Sequence, residues 1–485
     1  MKKFVLRGLF IFLLFNLMCF SNSIIYLRQR SELSIAPSKI DDLFSSEIAY
    51  NIYDGLVTFD ENGFGIIPSL AISWETPDNG KTWIFQLRKG VKFSDGSPFS
   101  ADDVVVAYSE GTSEVKNIIE KVISLSLYKV EIILKKPLLN FIERLANATF
   151  LIPSKKSFLS GEFKPIGTGP FKLIDYIKNK KIVLGKNKYY WGGEVKSEKI
   201  IVKMVEDSYR KMIEFRSGVG DIVRVESKDE ESRLPLTEGL NIYEKKSLLL
   251  FSLIFNTRRP PFYDKEIRKA FAHLLNKRKL ISYIFQDIAS PISTFVPPFL
   301  KGFNSKIKDY KFSVKESKHL LGKKRITNLP FKCTLYFNNR NNDIQRLATG
   351  IAQLTANHGF KINLKKVPPE ALGNIMIHRA FDLVIVGFVS APEAGLYLSY
   401  FFNSTGRYNF SGYHNKEVDS LLEKASVSSP LIRYEIYRKV QEIIHNDIPV
   451  IPLFLLKSKV VTRSNVYGIK ITPLRTILFK NVYKK

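Results

Sequence analysis

Between residues 331 and 388 the hydrophobic pattern changes period again and again, and this constrains the fold more than any other feature of the chain. Phe331, Cys333, Leu335 and Phe337 alternate as in a strand, and Ile344, Leu347, Ile351 and Leu354 then recur at helical spacing. Phe360, Ile362 and Leu364 alternate again, and a short helix leads to the apolar run 381–388. The order β-α-β-α-β predicts a parallel sheet covered by helices. Amphipathic helices at 418–425 and 432–444 and an apolar strand at 450–456 extend this body. Upstream, Ile267, Ala270, Phe271, Leu274 and Leu275 mark one face of a helix that starts at Asp264.

The first half reads as strands and turns. Trp83, Phe85 and Leu87 alternate with polar neighbours, as do Val91 and Phe93, up to the turn pair Asp95-Gly96. Ser100 followed by Asp103 predicts a capping box opening a helix through Val104, Val105 and Tyr108. Val130, Ile132 and Leu134 form another strand, and 209–217 reads as a helix stopped by Gly218. A chain of 485 residues exceeds what one core serves. We therefore expect two α/β bodies meeting near Asn256, with a ligand cleft between them at the carboxyl ends of strands.

Charge narrows the function less than its size suggests. Lys and Arg number 74 against 46 Asp and Glu, giving +28. Nucleic acid, an anionic membrane face and an acidic ligand all fit such a balance. The N-terminus settles part of this. Lys2, Lys3 and Arg7 precede an apolar run ending at Phe20, and small residues Ser21 and Ser23 fit a cut after Ser23. That is the layout of a secretory signal peptide, too short to span a bilayer. Export argues against a nucleic-acid partner and leaves +25, spread along both halves, which reads as a solvated lysine-rich surface. Lipidation at Cys19 is disfavoured because Met18 before it is not small. After cleavage only Cys333 remains, so no internal disulfide forms, and its alternating apolar setting predicts burial. No other stretch reaches spanning length without charge, so the mature body is expected to be soluble.

Catalytic signatures are missing: there is no G-x-S-x-G, G-x-x-x-x-G-K-[ST] or H-E-x-x-H, and the six His lie at no ligand spacing. The chain is read as a non-enzyme with no cofactor of its own.

Several ordered blocks carry a resemblance. They are Tyr53-Asp54-Gly55-Leu56-Val57 with Pro68-Ser69-Leu70-Ala71; the stretch from Thr82-Trp83 through Gly90-Val91-Lys92-Phe93 to Ala101-Asp102-Asp103-Val104; and Gly167-Thr168-Gly169-Pro170-Phe171 with Tyr190-Trp191-Gly192-Gly193. Phe255-Asn256-Thr257 with Ile267-Arg268-Lys269-Ala270, and Asp419 with Pro449-Val450-Ile451-Pro452-Leu453, follow in order. With these the sequence resembles the extracytoplasmic solute-binding proteins of peptide-type ABC importers, the family 5 oligopeptide, dipeptide and nickel binders.

The resemblance implies a two-lobed, periplasmic-binding-protein-like α/β fold of type II with an extra small domain in the first lobe. On it we expect a signal peptide at 1–23 and lobe I at 24–55 and 161–255. The small domain would occupy 56–160, lobe II 256–465, and a return to lobe I 466–485. It also implies capture of oligopeptides, dipeptides or a related small solute for an inner-membrane permease with ATPase subunits, by a monomer outside the cytoplasmic membrane. Nickel, haem or another non-peptide solute is the alternative within the fold. A basic surface protein binding anionic membrane or glycan is the alternative of another class. A transcription regulator is disfavoured, since no helix-turn-helix precedes the domain.

Three segments are expected, by resemblance, to line the cleft: Lys39, Asp41 and Leu43; Phe251, Ser252 and Ile254; and Phe388, Ser390, Ala391 and Glu393. The third departs from the family pattern. Peptide binders carry a Gly-Trp and then an Asp that pairs with the peptide ammonium, whereas residues 387–393 read Gly-Phe-Val-Ser-Ala-Pro-Glu. Either Glu393 or Asp41 takes that role, because a buried unpaired ammonium costs several kcal/mol, or the ligand has no free amine there. An arginine expected near the strand's end is replaced by Ile385 or Val386.

Overall fold

The computed structural model describes residues 23–29, 32–40, 42–60, 62–159, 162–235, 239–323, 329–339, 341–389 and 392–485. Two large sheets define two lobes. The first has seven strands in the order Leu240–Lys245, Ser458–Arg463, Ile222–Val225, Ser23–Gln29, Lys199–Val205, Lys181–Lys186, Phe171–Ile177. Ser23–Gln29 runs parallel to both of its neighbours, and the outer strands are antiparallel. Its run Ile24-Ile25-Tyr26-Leu27 is apolar without alternation because both faces are covered. Ile24 and Tyr26 join Phe44, Ile48 and Ile52 of the helix Leu43–Ile52, whereas Leu27 packs with Met212 and Phe215 of the helix Ser208–Arg216.

The second sheet has six strands in the order Ala289–Pro291, Val450–Leu456, Leu250–Phe255, Leu383–Phe388, Phe331–Asn338, Phe360–Val367. The last three are mutually parallel, as the β-α-β-α-β pattern predicts, while Leu250–Phe255 is antiparallel to both neighbours. The sheet is therefore mixed. Helices cover both faces, and the sheet separates two cores, one around Phe255, Phe271 and Phe360 and one around Tyr397, Phe402 and Tyr437. Cys333 is buried in the first of these. Burial, then the nearby Asp382, pushes its thiol up to about 12.

A four-stranded antiparallel sheet, Ala71–Glu75, Thr82–Leu87, Lys129–Leu134 and Ile119–Ser126, builds the small domain. Trp83, Phe85 and Leu87 point into its core, with Phe141 and Phe150. The helix Ala101–Ser109 opens with the predicted capping box, Asp103 accepting the Ser100 backbone N–H at 3.0 Å. The alternation at Val91 and Phe93 does not make a strand. It lies in a loop held by one bridge between Lys92 and Pro98 and by Phe93 N–H donating to the Ser97 carbonyl and Phe99 N–H to the Val91 carbonyl, and among the described residues no neighbouring strand extends it.

Two strands fall on the other side of the expected boundaries. Leu250–Phe255 belongs to the second sheet and Ser458–Arg463 to the first. A strand covered on both faces has the same apolar text in either sheet, so only its hydrogen-bonded neighbours assign it. The chain crosses between lobes just before Leu250 and again at Lys457, and the two crossings lie side by side. Leu456 N–H donates to the Leu249 carbonyl at 3.0 Å, and the Ser247 hydroxyl donates to the Leu456 carbonyl. Among the described residues no helix is long and apolar enough to cross a membrane.

Candidate functional site

A cavity of about 650 Å³ lies between the lobes, within the range of pockets that enclose small ligands. Its lobe I floor is formed at the carboxyl ends of two parallel strands, where Arg28 and Arg224 interrupt otherwise apolar runs. Arg224 is 2% exposed. It donates to Glu47 at 2.6 Å, to the Ser458 hydroxyl at 2.6 Å and to the Arg475 carbonyl. Glu47, from the helix Leu43–Ile52, also accepts Ile477 N–H at 2.9 Å and pairs with Arg28 at 3.5 Å. The Arg28 guanidinium lies over the Phe44 ring, 5.2 Å from its centroid, which fixes its aim. Glu226 follows the second strand and pairs with Arg475 at 3.1 Å. Burial alone would raise the Glu226 carboxyl, yet Arg475, Lys211, Arg28 and Arg224 together hold it down to about 2. Its side chain is nonetheless 42% exposed toward the cavity. Lys211 closes the cluster on Glu230 at 2.8 Å.

The lobe II wall is aromatic. Phe388, at the end of the strand Leu383–Phe388, packs on Phe401, Phe410 and Tyr408 with centroid distances of 4.6, 5.8 and 6.0 Å. The Phe251 ring covers Gly387 so closely that a Cβ there would lie 2.8 Å from its Cζ, and it stacks on Phe454 at 4.8 Å. Glycine is needed for that approach. The strand pairs with Phe331–Asn338 only at Leu383 and Val384, so its last residues leave that partner before they reach the cavity.

Several contacts bridge the cleft. Glu114 of the small domain accepts the Tyr400 hydroxyl and pairs with Arg407 at 3.4 Å, both from lobe II. Burial, then Glu114, raises the Tyr400 hydroxyl well above its usual range. Elsewhere Asn140 donates to Glu393 at 3.4 Å, Leu139 N–H donates to the Ser426 carbonyl at 2.8 Å, and Arg433 approaches Glu143 at 3.9 Å. Burial and then the Glu393 carboxylate push Glu143 up to about 7.

Of the residues expected in the cleft, Leu43, Phe251 and Phe388 line the cavity. Lys39 is exposed at the end of the short 3-10 turn Pro37–Lys39 and lies outside the lining. Ser252 and Ile254 lie inside the second sheet, 0% and 1% exposed, because the strand that carries them is central and covered on both faces. Glu393 caps the helix Ala394–Phe402 through Leu396 N–H at 2.9 Å and serves the contact between lobes, outside the cavity. Asp41, Ser390 and Ala391 lie outside the described residues. The sequence reading passed over Arg28, Arg224, Glu226, Arg475, Glu114, Tyr400 and Arg407. A signal existed for two of them, since an arginine within a doubly buried strand requires a partner. Among the described residues no three His, Cys, Asp or Glu side chains gather to hold a metal.

Comparison with known proteins places this architecture. Residues 65–410 match the model of the bacterial extracellular solute-binding proteins, family 5. The chain is 26% identical to heme-binding protein A of Haemophilus influenzae over 89% of its length and 87% of that protein's. It is 24% identical to di/tripeptide-binding protein 2 of Pseudomonas aeruginosa over 90% and 89% of the two chains. Among solved structures, the ABC transporter-associated periplasmic binding protein DppA of Helicobacter pylori in complex with the peptide STSA superposes with a TM-score of 0.85 at 26% identity, covering 95% of this chain and 98% of that one. The fold, the cavity between lobes and these matches agree: the chain belongs to the bacterial extracellular solute-binding proteins of family 5.

Proposed function

We propose that this protein captures a peptide, or a small solute of similar size, between its two lobes and delivers it to an ABC permease. The observation that carries the reading is the cavity of about 650 Å³ between the lobes, with a charged floor from one lobe and an aromatic wall from the other. A site split across two lobes binds by closing, and the contacts of Glu114 with Tyr400 and Arg407 belong to the closed form. Relatives named for di- and tripeptide binding, and one solved with the peptide STSA, support the ligand class. The protein works as an exported monomer outside the cytoplasmic membrane, with its permease and ATPase subunits as partners, and carries out no chemistry on what it binds.

Native mass spectrometry of the purified chain, incubated with a random tetrapeptide library, tests this. Retention of peptides at one per chain is the expected result. A chain that takes up none, yet binds haem with a shifted Soret band, would replace the peptide reading with that suggested by the heme-binding relative.

A further inference from the structure

We propose that the small domain is the clasp of the closed protein, gripping lobe II across the cleft and setting how tightly a captured solute is held. The inference rests on the cavity being the solute site, and it gives a task to a domain that lends the cavity only Glu114 and the segment 147–149. The small domain is attached to lobe I. It is inserted between the helix Leu43–Ile52 and the strand Phe171–Ile177, and is held there by the Tyr50 hydroxyl donating to the Ala146 carbonyl at 2.9 Å and Ile152 N–H donating to the Asp54 carbonyl at 3.0 Å. Yet Glu114, Lys136, Leu139, Asn140 and Glu143 all reach lobe II. Their partners are spread over three lobe II helices, Ala394–Phe402, Lys416–Ser426 and Pro430–Asp447, and the loop carrying Arg407. The body of lobe I touches lobe II in another place. Lys228 donates to Asp287 at 2.8 Å, and its backbone N–H to Asp343 at 3.0 Å. These lie beside a crossing, since Lys457 N–H donates to the carbonyl of Ile288, the neighbour of Asp287. A contact beside the pivot changes least as the lobes swing, so the small-domain contacts are the ones that opening must break.

The five contacts are unequal. The side chains of Lys136 and Glu423 are 84% and 73% exposed, and such a pair adds little. Glu143 meets Arg433 only at 3.9 Å and faces the Glu393 carboxylate as well. Glu114 is the strong one. Its carboxylate is 12% exposed, accepts the Tyr400 hydroxyl and pairs with Arg407, and hydrogen bonds to a sheltered charge are of the stronger kind. The Arg144 guanidinium lies over the same tyrosine ring, 5.6 Å from its centroid, so the small domain holds Tyr400 at its face and at its hydroxyl. Glu114, Tyr400 and Arg407 also line the cavity. A solute seated there lies against the groups that fasten the lobes, and Glu114 acts through them as a positioning residue.

The test reads the ratio of closed to open chain by small-angle scattering of the full ligand-free protein at pH 6, and capture of a random tetrapeptide library by native mass spectrometry on the same samples. Glu114→Gln should lower the ratio about tenfold, the range of a lost charged hydrogen bond, and library capture should fall with it. Tyr400→Phe, which keeps the ring in the cavity wall, should do the same in smaller measure. Arg407→Glu should open the chain, and Arg407→Glu joined with Glu114→Arg should regain most of the closed form, which loss of folding alone would not allow. Lys228→Met, beside the crossing, should change the ratio by less than about threefold. Melting confirms that each variant is folded. A wild type with no closed fraction, a ratio unmoved by Glu114→Gln, or a Lys228→Met chain that opens as far overturns the clasp. If the wild type takes up no library peptide the solute reading falls, whereas a clasp that fails with capture intact falls alone.

Discussion

Glu143→Gln should make closure of the two lobes insensitive to pH. In the closed protein Glu143 of the small domain faces Glu393, Arg433, Tyr434 and Tyr437 of lobe II, with Arg144 beside it on its own helix. Burial and then Glu393 lift its carboxyl from 4.5 to about 7, despite Arg433 at 3.9 Å. Opening the cleft removes Glu393 and the covering lobe, so the open form titrates near the ordinary value. The closed form therefore binds the proton more tightly. Closure is unpenalised below pH 4.5, is progressively disfavoured between pH 4.5 and 7, and carries a constant penalty above that. The full shift corresponds to about 3 kcal/mol. The side chain is 32% exposed, and screening reduces this to roughly 1.5 kcal/mol, about tenfold in the closing constant. Small-angle scattering of the ligand-free chain between pH 4.5 and 7.5 reads the closed fraction directly. The wild type should open as pH rises, and Glu143→Gln should stay at its acidic level throughout. An identical pH response in both proteins, or a wild type that closes as pH rises, would refute the reasoning.

Two further substitutions probe the walls of the cavity. Gly387→Ala places a methyl group against the Phe251 ring, which Phe454 backs, and should cost about 1–3 kcal/mol in urea unfolding and weaken capture; Phe251→Leu in the same chain should restore most of the stability. Glu47→Gln strips the shared carboxylate from Arg224 and Arg28 and should destabilise lobe I by about 3–5 kcal/mol. Glu47→Gln combined with Arg224→Met should cost less than Glu47→Gln alone, and greater damage in the double variant would contradict the picture of an orphaned buried charge.

Local chemistry announced much of the architecture. The capping box at Ser100 and Asp103, the stop at Gly218 and the periodicity of 331–388 depend on neighbours within a few residues, and the elements form where those signals lie. Val91 and Phe93 show the limit of such signals, since alternation makes a strand only when another strand is there to pair with it. Ser252 and Ile254 show the same limit in the site. Their segment runs beside the cavity, yet only Phe251 at its end reaches it, because the strand is central in its sheet.

From its own text the chain determined two α/β bodies, the strands near 83–87, 130–134, 331–337, 360–364, 381–388 and 450–456, and the blocks that mark its family; the seven strands of the first sheet were not among those it announced. Only the tertiary structure decided which sheet each strand joins and which charges meet. Arg28, Glu47, Arg224, Glu226 and Arg475 are separated by up to 447 positions, yet they form one cluster at the cavity floor. Electrostatic partnership depends on distance in space, and a buried arginine in a strand announces that it needs a carboxylate without naming which one. The net charge of +28 behaves likewise. Its size is a property of the sequence, but which of its charges stand beside the cavity is decided by the fold.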